Sequence, residues 1–245
     1  MLIFKFAHKK IYIKACKILT YNAQSALLCL FLINAITMKE LNLAHTNMVR
    51  NQIMPSNVTD SRLLSAFYNT PKHLFLPTEL HGIAYTDSRL PVSDSRTLLQ
   101  PESLGKMLQA CQFTGQEKVL EIGCSTGYTT ALLAQLCKEV FAIDNVHDFI
   151  VRTTENLLQF KLSNVTVLAH ELLAGYQDAA SYDIIFINGK VSAASLSSLQ
   201  QQLAENGRML LIEDCQGASK AVVYLNKNNM ISRAELFTAY ANNLS

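Results

Sequence analysis

From residue 117 onward, short apolar runs and amphipathic stretches alternate with a regularity that leaves few folds open. Apolar runs of strand length lie at residues 118–122, 140–143, 165–168, 183–187 and 208–212. Between them, residues 129–137, 146–160 and 193–203 carry apolar side chains at helical spacing. Strands that alternate with helices are joined by right-handed crossovers, which cover both faces of a parallel sheet. The expected class is therefore α/β, a doubly wound and mostly parallel sheet. Near the end the period drops to two: residues 221–224 and 233–237 flank Asn226, Lys227, Asn228 and Asn229. That pattern predicts an antiparallel hairpin at one edge of the sheet.

The stretch before residue 117 reads as a helical lead-in. Leu43, Val49 and Ile53, then Val58, Leu63, Leu64 and Phe67, repeat at helical spacing, with Asp60 placed to cap the second helix. Pro71 and Pro77 bracket an irregular connection, and residues 87–100, rich in Ser, Asp and Pro, predict a long loop. Pro101 suits the first turn of a helix that runs to about Cys111.

Residues 1–37 differ from the rest. Lys5, Lys9, Lys10, Lys14 and Lys17 occur with no acidic residue before Glu40, and the apolar run 26–33 has the length of a signal-peptide core. A membrane span needs about 20 apolar residues, so none is expected here. A secretory signal is one reading. The favoured one is that translation starts at Met38, whose segment opens a helix, with 1–37 an extension that is disordered or a start-site artefact. The domain is then 38–245. The formal net charge of +2 is too small to point to a nucleic-acid or membrane partner. The cysteines at 16, 29, 111, 124, 137 and 215 form no C-x-x-C pair, so neither zinc nor another metal is expected. With no disulfide framework legible, a reducing, cytoplasmic compartment is the expectation.

The chemistry concentrates in residues 119–128. There a strand ends in Glu121, and the small-residue loop Gly123, Cys124, Ser125, Thr126, Gly127 opens a helix. In such sheets ligands bind beyond the carboxyl ends of the strands. A dinucleotide would place its pyrophosphate at this helix start, yet Glu121 would set a carboxylate beside that phosphate, and the full G-x-G-x-x-G is absent. S-adenosylmethionine (SAM) carries no phosphate, and its amino and sulfonium groups are cationic, so a nearby carboxylate favours it. The same residues match G-x-S-x-G with Ser125 as a nucleophile, but that triad needs a histidine late in the chain, and the last one is His170. The hydrolase reading fails on that order. The second strand ends in Asp144 and Asn145, about 20 residues past the glycines, where an acid binds ribose hydroxyls. Glu171 follows the third strand on the adenine side, and Asn188 ends the fourth. The candidate cofactor residues are thus Glu121, Gly123, Cys124, Ser125, Gly127, Asp144, Asn145, Glu171 and Asn188. His170 reads as a surface loop residue.

From about Met38 to the end, the sequence resembles the protein-L-isoaspartate O-methyltransferase family, in the manner of a divergent bacterial member. The resemblance rests on residues 58–67, 70–77, 84–87 and 90–91 in the lead-in, on the loop 119–128, and on 207–211, 217–224 and 232–237. It implies SAM as cofactor and methyl transfer to the α-carboxyl of L-isoaspartyl residues in damaged proteins; a different acceptor on the same fold, or a SAM-binding protein without catalysis, are the alternatives, and a monomer is expected. The family's Thr-Ile-Ser-Gln-Pro-like segment reads Thr97, Leu98, Leu99, Gln100, Pro101 here, with Leu99 at the serine position. Thr97, or Ser95 in the preceding loop, becomes the substitute candidate for a catalytic side chain. Ser125 likewise stands where the family's loop usually has a glycine.

Overall fold

Seven strands form one sheet in the order β5-β4-β3-β6-β7-β8-β9 in the structure, a computed structural model that describes residues 23–215 and 218–244. The strands are β3 (Lys118–Ile122), β4 (Glu139–Asp144), β5 (Val165–Ala169), β6 (Tyr182–Lys190), β7 (Leu203–Cys215), β8 (Ala218–Lys227) and β9 (Met230–Thr238). A two-stranded antiparallel hairpin, β1 (Leu90–Pro91) with β2 (Thr97–Leu98), stands apart from the sheet. The helices are α1 (Ala23–Met48), α2 (Ser61–Asn69), α3 (Pro101–Ala110), α4 (Tyr128–Ala134), α5 (His147–Leu158) and α6 (Ser197–Gln201).

Strands β3 to β7 pair in parallel, while β8 runs antiparallel to β7 and β9 antiparallel to β8. This is the doubly wound sheet with an antiparallel edge hairpin that the alternation predicts. The hairpin turns on Asn228 and Asn229, at φ +53° and +58°, the left-handed pair that a tight β-turn demands and that asparagine tolerates best among residues with a side chain.

Because successive strand residues point to opposite faces, the two cores separate by parity. Val119, Val140, Ile184, Phe186, Leu210 and Ile212 join the lead-in helices on one face. Leu120, Ile143, Ile185, Ile187, Met209 and Leu211 meet Leu196 and Leu199 on the other. Central strands buried on both faces must be apolar at every position, which is why they read as continuous runs.

The chain divides into Met1–Ala44 and His45–Ser245. In the first unit α1 begins at Ala23, well before the expected opening at Met38. The lysine-rich segment up to residue 22 lies outside the described residues. No described helix is long and apolar enough to cross a membrane. In the second unit Asp60 caps α2, accepting from the Arg62 and Leu63 amides at 2.8 and 3.3 Å. Phe75 then stacks on Phe160 with ring centroids 5.1 Å apart and meets Tyr128 edge-on at 5.5 Å, pinning the lead-in to the helices that flank the sheet. The helix expected over 193–203 is shorter. A 3-10 turn (Ala193–Ser195) and α6 replace it, and Leu203 already belongs to β7. Gln202, buried just past α6, accepts from the Tyr176 amide at 2.9 Å and donates to the Ala174 carbonyl at 2.7 Å, which ends the helix there.

Candidate active site

Every strand from β3 to β6 delivers its carboxyl end to the same rim, and the loop after β3 is the most tightly tied part of it. The Gly123 and Cys124 amides donate to the Ile143 carbonyl at 2.9 and 3.2 Å, so the loop turns over the end of β4. Gly127, at φ +83°, caps α4. A Cβ there would stand 3.0 Å from the Thr153 methyl and 3.2 Å from its Cα, so glycine meets both the conformation and the close approach. Helix α5 holds the loop from beneath: Thr153 donates to the Ser125 carbonyl at 2.9 Å and Asn156 to the Thr126 carbonyl at 2.9 Å. Ser125 occupies the left-handed region at φ +56°. For a residue with a side chain that costs on the order of 1 kcal/mol, offset by the Asp144 carboxylate, which accepts its amide at 3.0 Å.

Asp144 is fully buried. Its second oxygen accepts the Val146 amide at 3.1 Å and faces the Arg96 guanidinium at 3.7 Å. Arg96 comes from the β1–β2 hairpin and donates to the Asn145 side chain at 3.0 Å. Glu121 is fully buried too, and accepts from the Asn188 amide at 2.6 Å. Burial pushes the Glu121 carboxyl up to about 7; the Thr130 and Asn188 side chains oppose that rise, and the Asp144 charge reinforces it. A carboxyl held up by burial in this way gains most from a cation placed beside it.

The cleft between hairpin and loop is lined by Thr97 and Leu99 on one side and by Gly123, Cys124, Ser125 and Asn188 on the other. Glu121, Asp144 and Asn145 reach it through Asn188, Ser125 and Arg96 respectively. Gly127 acts from behind, as the start of α4. Glu171 stands exposed at the end of β5, as the residue before a 3-10 turn (Leu172–Ala174), and does not line the cleft. His170 sits beside it, edge-on to Tyr176 at 5.7 Å. Sequence reasoning missed Thr153 and Asn156. Their signal is a pair of polar residues three apart on the helix side that should be apolar. It missed Arg96 altogether.

One comparison decides the family. The model for protein-L-isoaspartate(D-aspartate) O-methyltransferase matches residues 43–240. The chain belongs to this family. A relative in Pelobacter propionicus, protein-L-isoaspartate O-methyltransferase 1, is 32% identical over 76% of this chain and 87% of its own. Another, from Methanoculleus marisnigri, is 33% identical over 71% and 80%. The fold is shared with a solved Plasmodium falciparum protein, described as a protein-L-isoaspartate O-methyltransferase and bound to S-adenosyl-L-homocysteine. That match has a TM-score of 0.69 and 16% identity, and covers 82% of this chain and 98% of that one.

Within a protein-L-isoaspartate O-methyltransferase fold, the polar atoms that lack partners become informative. Glu121 Oε2, Ser125 Oγ, Asn188 Oδ1, Thr97 Oγ1 and Arg96 Nε are all buried without a hydrogen bond. Buried polar groups are nearly always paired, and these five gather around one cleft. Unpartnered acceptors gathered beside two buried carboxylates suit the amino, ribose and sulfonium groups of SAM. The residues present fit that cofactor. Among the described residues no His, Cys, Asp or Glu cluster is suited to a metal ion.

Proposed function

We propose that this protein transfers a methyl group from SAM to the free α-carboxyl of L-isoaspartyl residues in damaged proteins. The family is one of SAM-dependent methyltransferases. The observation that carries the reading is the group of unpartnered polar atoms around Glu121 and Asp144, within a chain that matches the family over 43–240. When bound, SAM supplies an electrophilic methyl on a sulfonium; an acceptor oxygen takes it while sulfur keeps the electron pair of the broken bond.

The chain's own residues then have three tasks. Glu121 and Asn188 hold the cationic amino end, and Asp144 with Asn145 receives the ribose. The loop 123–127 brings the backbone close enough for both. The acceptor carboxylate is ionised at neutral pH, so no general base is required. Alignment of its oxygen with the methyl supplies much of the acceleration. Thr97, whose hydroxyl has no partner and lines the cleft, is the side chain proposed to orient the acceptor. Glu171 is proposed to reach the adenine edge from the end of β5. We place the catalytic unit at residues 38–245, acting as a monomer in the cytoplasm. The buried free thiols of Cys111, Cys124 and Cys137 favour a reducing compartment.

Transfer of labelled methyl to a synthetic isoaspartyl peptide, with its aspartyl counterpart as control, tests the reading. Selective labelling is expected. One observation favours a second reading, a different acceptor on the same fold: Leu99 is buried on the hairpin side of the cleft and offers no hydrogen bond. On the isoaspartyl reading, Leu99→Ser adds a donor to the acceptor carboxylate, and kcat/KM for the peptide should rise about tenfold. An unchanged rate, alongside transfer to some other acceptor, would support the second reading.

A further inference from the structure

We propose that Arg96 is a positioning residue for the cofactor, clasping the β1–β2 hairpin over the strand end that receives the ribose. This rests on the reading of the cleft as the SAM site.

Arg96 belongs to the hairpin in backbone and to the cofactor strand in side chain. Its carbonyl accepts the Val92 amide at 3.0 Å, and its own amide donates to the Ser93 hydroxyl at 3.1 Å. Its guanidinium, with only 7% of the side chain exposed, bonds Asn145 at 3.0 Å and lies 3.7 Å from the fully buried Asp144. An arginine is taken out of water here to meet the two residues assigned to the ribose. Since Asp144 also accepts the Ser125 amide, the guanidinium bears on the side chain that sets the cofactor loop. Arg96 lines the cleft, and its Nε is buried without a hydrogen-bond partner.

The space enclosed between hairpin and loop is about 10 Å³, room for one water, whereas sites for ligands of this size hold several hundred. At this part of the rim the hairpin and the loop are therefore nearly in contact. The rim belongs to five parallel strands, whereas the hairpin over it is two residues per strand and paired only with itself. Arg96 is the side chain that ties this hairpin to the end of β4. One guanidinium nitrogen makes both contacts, the Asn145 oxygen at 3.0 Å and the Asp144 carboxylate at 3.7 Å, and the charge stays on the group at every working pH.

The test reads S-adenosylhomocysteine binding by calorimetry, with no acceptor present. Arg96→Met and Arg96→Gln should weaken binding about tenfold or more. KM for SAM should rise in step, while kcat at saturating SAM stays within about twofold. Arg96→Lys should recover part of the affinity, since it keeps the charge on a more strongly hydrated head. Should the methionine variant fail to fold, trypsin on the wild-type protein gives the second reading: S-adenosylhomocysteine should slow cleavage after Arg96 and Arg89. Folded variants that bind as the wild type does, a fall in kcat with KM for SAM unchanged, or ligand-independent cleavage would each overturn the proposal. Wild-type protein that binds no S-adenosylhomocysteine would instead overturn the cofactor reading itself, and this one with it.

Discussion

Replacing Asp144 with alanine is expected to destabilise the ligand-free protein by about 3–5 kcal/mol, the scale for breaking a buried charge pair, and to remove measurable SAM binding. The side chain is fully buried, and the Ser125 and Val146 amides both lose their acceptor with it. The Arg96 guanidinium, itself almost wholly buried, is left facing Asn145 without a counter-charge. Ser125 would then hold its left-handed conformation with no compensating bond. Urea unfolding gives the answer directly as a lower midpoint at an unchanged slope. A loss under about 1 kcal/mol would mean that the loop draws its geometry from α5 alone and that Asp144 is a passenger.

Glu121→Gln should have the opposite effect on stability and a damaging one on binding. The carboxyl is raised from 4.5 to about 7 in the folded protein by burial. Between those two values the folded state holds more protons than the unfolded state, so stability falls as pH rises through the window, and the full penalty applies above about pH 7. Removing the ionisable group should therefore stabilise the ligand-free protein by about 3 kcal/mol at pH 8, and by almost nothing near pH 4.5. Glutamine can still accept from Asn188. It offers no charge to a cationic ligand, so SAM should bind about 1–3 kcal/mol more weakly. In the wild type, affinity for SAM should climb as pH rises through 7, and that slope should vanish in the variant. A variant that is no more stable at pH 8, or that keeps the slope, would remove Glu121 from the cofactor site.

The opposed signs explain what was readable in the sequence. Strands buried on both faces must be apolar throughout, so β3, β4 and β6 were legible as runs, and the acids at the ends of β3 and β4 stood out against them. A carboxylate buried at a strand end is a cost to the fold, and it points to a ligand for that reason. The hairpin was invisible because β1 and β2 hold two residues each, too few for a period of two to register. Arg96 was hidden with it: flanked by Ser95 and Thr97, it looks like any exposed loop arginine, and only tertiary packing buries it. The overlong helix over 193–203 has a similar origin. Leu196, Leu199 and Leu203 keep helical spacing, but the buried Gln202 side chain diverts the chain into β7. Helix α1 began earlier than Met38 because nothing in residues 23–37 breaks a helix; neither glycine nor proline occurs there. Ser125 showed only as a departure from a glycine, and that its amide was tied to Asp144 came from the fold alone.

The cofactor loop also carries its own chemical clock. Cys124 is 2% exposed, and burial, followed by the nearby Glu121 and Asp144 charges, pushes its thiol well above the ordinary range. A thiol reacts with alkylating agents as the thiolate and only when reached, so in the closed molecule Cys124 is silent on both counts. Its modification waits on each excursion that exposes the loop. In a protein whose other cysteines are replaced, the rate at which Cys124 is consumed counts those excursions one by one, and the frequency of breathing at the site becomes a number obtained without any substrate at all.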